Sequence, residues 1–121
     1  IGLKHPELFA SISAFSPICN PINSPWGKKA FSAYLGEQQD IWLQYDACHL
    51  LENATDPQAI LIEQGSADDF LDEQLRPESF MQVAQKSGHS VQLHLREGYD
   101  HSYFFISSFI EQHLEFHAKY L

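Results

Sequence analysis

Apolar residues fall along this chain in short blocks separated by turn formers, and the blocks change period from one to the next. Ala59-Ile60-Leu61-Ile62-Glu63-Gln64-Gly65 is an aliphatic run after Asp56-Pro57 that stops at glycine, the pattern of a buried strand. Val91 to Leu95 alternates apolar and polar, which predicts a second strand. Leu8 to Phe15, small and apolar and followed by Pro17, predicts a third. Helical spacing occurs from Lys28 to Leu35, closed by Gly36, and from Asp40 to Leu51, with Asp40 and Asp46 as N-cap candidates. It recurs from Pro77 to Lys86, stopped by Ser87-Gly88, and from Ser102 to Leu121. Ile1 to Lys4 reads as a last helical turn ended by His5-Pro6, and Ser16 to Gly27, with three prolines, as a long irregular connection containing Trp26. Strands alternating with helices predict an α/β fold, a parallel sheet with helices on both faces.

Composition narrows the picture. The chain has 121 residues, 44% hydrophobic, enough for one packed unit but about half of what a three-layer α/β enzyme usually uses. With Ile1-Gly2-Leu3-Lys4 giving no start signal, a longer parent chain is expected. A net charge of -9 with only 7 Lys and Arg excludes a phosphate-backbone partner and predicts no nucleic-acid binding. No apolar run approaches the roughly 20 residues of a membrane span. No charged-then-apolar leader opens the chain, so a soluble, cytoplasmic protein is expected. Cys19 and Cys48 lack paired spacing and read as reduced, structural thiols.

In open parallel sheets reactive groups gather beyond the carboxyl ends of the strands. Two segments stand there: Gln64-Gly65-Ser66-Ala67-Asp68-Asp69-Phe70 after one strand, and Glu97-Gly98-Tyr99-Asp100-His101-Ser102 after the next. Asp68 and His101, 33 positions apart (101 minus 68), can meet if their loops are neighbours. A carboxylate on one ring nitrogen fixes the imidazole tautomer and leaves the other nitrogen to take a proton from a hydroxyl. Asp before His, with the serine upstream on a Gly-x-Ser-x-Gly elbow, is the order of α/β-hydrolases, but no such elbow occurs in these residues. On local sequence alone a second reading stays open, in which Asp68 or Asp69 caps the next segment and Asp100-His101 is a polar turn before Ser102 as N-cap.

Longer runs are more specific. Ser13 to Pro21, Pro25-Trp26-Gly27-Lys28-Lys29-Ala30-Phe31 with Tyr34-Leu35-Gly36, Gln64-Gly65 to Leu71, Glu97-Gly98-Tyr99-Asp100-His101-Ser102-Tyr103 and the closing His117 to Leu121 together resemble the C-terminal portion of the S-formylglutathione hydrolases, the esterase-D-like branch of the α/β-hydrolases. The likeness extends over essentially the whole chain. It implies that residues 1–121 are the C-terminal part of one α/β-hydrolase domain, with Asp68 as the acid, Asp69 ranked behind it, and His101 as the base. The serine and the oxyanion-hole donors are then expected upstream of Ile1. The implied reaction is hydrolysis of the S-formylglutathione thioester, with activity on small esters, no metal or organic cofactor, and a homodimeric intact protein. Trp26 is a candidate wall of the acyl pocket, its plainer role a core plug; Lys28 and Lys29 could attract glutathione carboxylates or simply solubilise a helix start.

Rival readings remain. His113 and His117, four apart on the last helix, have a zinc-binding spacing, but no Glu follows the first and His117 shares a face with Ile106, Ile110, Leu114 and Leu121, which favours a satisfied core histidine. An inactive fragment, or an interaction module, is the non-enzyme alternative; the lack of a long exposed apolar stripe weighs against the latter.

Overall fold

A computed structural model describes all residues, 1–121. Three parallel strands, β1 (Ser11–Phe15), β2 (Ala59–Gly65) and β3 (Val91–Arg96), lie side by side in chain order. Between β1 and β2 run helices α1 (Pro25–Leu35), α2 (Gln39–Leu43) and α3 (Ala47–Glu52). Between β2 and β3 come a π-helical turn (Leu71–Leu75) and α4 (Pro77–Ser87), and α5 (Tyr103–Ala118) closes the chain. This is the expected α/β architecture. No helix is long and apolar enough to cross a membrane.

Period-two alternation gives the sheet two different faces. Ile12, Ile60, Ile62, Val91 and Leu93 point to one side and pack with Cys19, Cys48, Leu51, Phe80 and Ala84, the apolar core under α3 and α4. The opposite face mixes Leu61 and Phe15 with polar side chains and lies beneath α5. There the Glu63 carboxylate, 0% exposed, meets Arg96 Nε, His94 Nδ1 at 3.1 Å and His113 Nε2 at 3.3 Å. His113 also stacks on Phe15, with ring centroids 3.9 Å apart. Burial holds the His113 pKa below its ordinary value, against the opposing pull of its Glu63 hydrogen bond. His117 receives or gives hydrogen bonds at both ring nitrogens, with Ser11 Oγ at 2.7 Å and Ser13 Oγ at 2.8 Å. These contacts bolt α5 to β1 and β2, and neither histidine belongs to a cluster of metal ligands.

Several boundaries differ from the pattern-based expectation. β1 starts at Ser11, because its register begins at Ser11 opposite Ala59 and the segment before it has no strand to pair with; Leu8 is 70% exposed. The connection after β1 is shorter than expected, since Ser24 caps a helix that begins at Pro25, its Oγ accepting the Gly27 N–H at 3.1 Å. Trp26 therefore sits in the first turn of α1 and not in a loop. Asp46 does cap α3, accepting the His49 N–H at 3.0 Å, and its other oxygen takes the Ile22 N–H at 3.1 Å. Asp40 lies inside the first turn of α2, behind Gln38. On α5 the packed face carries Phe105, His113 and Phe116, whereas Ile110, Leu114 and Leu121 are exposed, so His117 does not share an apolar core face with them.

Candidate active site

The loops leaving β2 and β3 emerge side by side because their strands are parallel neighbours. Main-chain bonds clamp them: the Ser66 N–H donates to the Arg96 carbonyl at 2.9 Å, and the Ala67 N–H to the Tyr99 carbonyl at 3.0 Å. Gly65 permits that approach, since a Cβ there would overlap the Tyr99 carbonyl. The Gly98 N–H adds a bond to Ser66 Oγ at 2.9 Å.

The clamp brings Asp68 and His101 together. Asp68 Oδ2 lies 2.7 Å from His101 Nδ1, so in neutral imidazole the Nδ1–H donates to the carboxylate. The Asp68 carboxylate is shut away from solvent, whereas the His101 side chain is 41% exposed. Nε2, the other ring nitrogen, makes no hydrogen bond within the chain and so retains a lone pair for an incoming proton. The geometry distinguishes the two neighbouring aspartates: Asp68 is buried and bonded, while Asp69 is exposed. Ser102, the residue after the imidazole, caps α5 by accepting the Phe105 N–H at 3.4 Å, which ties His101 to the helix that Glu63 anchors.

Residues that periodicity did not single out complete the surroundings. Asp68 Oδ1 accepts the Phe70 N–H at 2.9 Å, and Gln64 Nε2 donates to Oδ2 at 3.1 Å. The Phe70 ring stands edge-on to the His101 ring, centroids 5.4 Å apart, and its other side meets Trp26 at 4.6 Å. Trp26 is 43% exposed, which does not suit a core plug, and its N–H is held by Gln74 Oε1 at 2.9 Å. Trp26, Phe70 and His101 thus form one aromatic ledge. Lys28 and Lys29 are exposed on α1. On the far side of the imidazole a recess opens, lined by Phe15, Ser16, His101, Ser102, Tyr103 and Phe105. Ser16, at φ 46°, turns the chain sharply out of β1 at its rim. A more apolar hollow against β1, around Ile12, Ala14 and Phe80, lies on the opposite face, away from Asp68 and His101.

Known proteins share this fold. Residues 1–116 match the Esterase family. The solved structure of an S-formylglutathione hydrolase from Agrobacterium tumefaciens superposes with a TM-score of 0.94 at 42% identity, the match covering 99% of this chain and 43% of that one. A ferulic acid esterase (TM-score 0.70, 18% identity, 99% of this chain and 45% of that chain) shares the fold. So does esterase B from Lactobacillus rhamnosis (TM-score 0.70, 14% identity, 93% and 40%). The chain spans less than half the length of each of these.

Proposed function

We propose, from the premise that this chain belongs to the esterase family of α/β-hydrolases, that it supplies the acid and the base of a serine hydrolase acting on S-formylglutathione. In this reading residues 1–121 are the C-terminal part of a single hydrolase domain, and the nucleophilic serine lies upstream on a Gly-x-Ser-x-Gly elbow. The observation that carries the reading is the 2.7 Å contact between a buried carboxylate and a solvent-facing imidazole at the carboxyl ends of adjacent parallel strands. The 42% identity to an S-formylglutathione hydrolase supports the choice of substrate. Two free, buried thiols agree with a reducing, cytoplasmic setting.

The chemistry runs in two halves. His101 Nε2 takes the serine proton as the oxygen bonds to the formyl carbon, and Asp68 stabilises the resulting imidazolium without being protonated. The C–S bond breaks, His101 returns the proton to the glutathione thiolate, and a formyl-enzyme remains. Water then gives a proton to His101 and attacks the formyl carbon. The proton passes to the serine oxygen as formic acid leaves, which restores the enzyme, and the acid loses its own proton to solvent to give formate.

The test is a pair of substitutions in the intact enzyme. His101→Ala is expected to lower kcat for S-formylglutathione and for p-nitrophenyl acetate by about 10^4-fold or more, as loss of a triad base does. His117→Ala, which removes two hydrogen bonds to β1, is expected to cost about 1–2 kcal/mol of stability and leave kcat near wild type. The reverse pattern would overturn the assignment.

A further inference from the structure

Gln64 follows Ile60, Leu61, Ile62 and the buried Glu63 in β2, on the sheet face that Ile60 and Ile62 share, and it is 0% exposed. Its Nε2 donates to Asp68 Oδ2 at 3.1 Å, the same oxygen that accepts the His101 Nδ1–H at 2.7 Å, and to the Gly65 carbonyl at 3.1 Å. Its Oε1 is buried without any partner. Turning the amide over would set that oxygen against the carboxylate, so Asp68 fixes the donor end in place. A buried carbonyl with no partner is destabilising, and an apolar side chain of the same volume would avoid it. What the amide supplies in exchange is one N–H on the carboxylate that faces the imidazole.

Resting on the hydrolase reading above, we infer that Gln64 is a positioning residue for the acid–base pair, acting on His101 through Asp68. With the Phe70 N–H on Oδ1 and the Gln64 N–H on Oδ2, the carboxylate plane is held from both ends, leaving Oδ2 aimed at Nδ1–H. The same bond draws off part of the carboxylate charge and so moderates how tightly Asp68 holds the imidazolium. Losing it should misorient the base and make it more basic.

The experiment uses the intact enzyme. Gln64→Met keeps the volume and removes the N–H. Its kcat on p-nitrophenyl acetate is expected to fall about tenfold, the scale of one hydrogen bond to a charged group, with KM little changed. The acid-side midpoint of its kcat/KM profile is expected to move up by about half a pH unit. Its melting temperature is expected to hold or rise, because the orphan carbonyl has gone. Gln64→Glu, sharing a proton with Asp68, restores a donor while it stays protonated; its activity is expected to recover at the acid end and fall away as pH rises.

A folded Gln64→Met enzyme with unchanged kcat and pH profile would overturn the inference, as would a lowered melting temperature with an unmoved profile, the mark of a merely structural residue. Should that variant fail to fold, Gln64→Glu decides: activity equal to wild type at every pH, or equally reduced at every pH, overturns it. Full activity in His101→Ala would instead bring down the hydrolase reading itself, whereas loss there beside an unaltered Gln64→Met would sink only the positioning role.

Discussion

Replacing Asp68 by asparagine changes the shape of the site hardly at all and inverts its hydrogen-bond logic. The native carboxylate accepts three donors: the Phe70 N–H on Oδ1, and Gln64 Nε2 and His101 Nδ1 on Oδ2. Asparagine offers one oxygen and one NH2. If its oxygen keeps the Phe70 N–H, its NH2 faces Gln64 and His101. Gln64 can then turn its unpartnered Oε1 inward to accept, giving up its bond to the Gly65 carbonyl, and His101 can accept at Nδ1. The opposite orientation sets NH2 against the Phe70 N–H and relieves nothing. The satisfied arrangement therefore puts the imidazole proton on Nε2, where the base must be empty. The expected loss in kcat is about 10^4-fold, the known scale for a wrong-tautomer triad and equivalent to about 5.4 kcal/mol in the barrier. Thermal melting is expected to stay near wild type, since the pocket remains filled. The assay is steady-state hydrolysis of p-nitrophenyl acetate by the intact enzyme, with melting followed in parallel. An Asp68→Asn enzyme within tenfold of wild-type kcat would refute the reasoning.

Other outcomes follow from the same structure. Gly65→Ala drives a Cβ into the Tyr99 carbonyl and to 3.2 Å from the Asp100 carbonyl. It is expected to cost about 1–3 kcal/mol in a urea melt and to lower kcat by spreading the two loops; an equally stable and active variant would contradict this. His113 resists protonation when folded but takes a proton near pH 6.5 when unfolded, so the unfolded chain gains protons first as pH falls. Stability is therefore expected to drop between about pH 7 and pH 5, and less so in His113→Gln, as read from urea midpoints at both pH values. Burial pushes both thiols up to about 12, so iodoacetamide should label Cys19 and Cys48 only in denaturant; fast labelling of the native protein would show the burial to be wrong.

How far the chain could be read in advance depended on whether the relevant forces were local. β2, α4 and β3 were legible because aliphatic runs, alternation and Gly88 at a left-handed helix end are properties of neighbouring residues. That an aspartate after β2 and His101 could meet was legible because each follows a strand, and parallel neighbours must deliver both loops to one end of the sheet; the choice of Asp68 over Asp69 came from the resemblance. The start of α1 was also written locally, in Ser24-Pro25, but Pro17 and Pro21 ahead of it masked it as loop. The Glu63 cluster was not legible: a lone glutamate inside an aliphatic strand gains its meaning from His94, Arg96 and His113, which lie 31, 33 and 50 positions away. Gln64 and Phe70 escaped for the same reason, since only the fold of the β2 loop turns them back onto Asp68.

The two loops that carry Asp68 and His101 are joined in part through peptide groups, which every amino acid possesses. Changing the side chains of Ala67 or Glu97 is therefore expected to leave these main-chain bonds in place, whereas inserting or deleting one residue between Gly65 and Asp68 would slip the pairing with Arg96 and Tyr99 out of step. At this joint the spacing from Gly65 to Asp68 is constrained alongside the glycine itself, whose missing Cβ leaves room for the Tyr99 carbonyl.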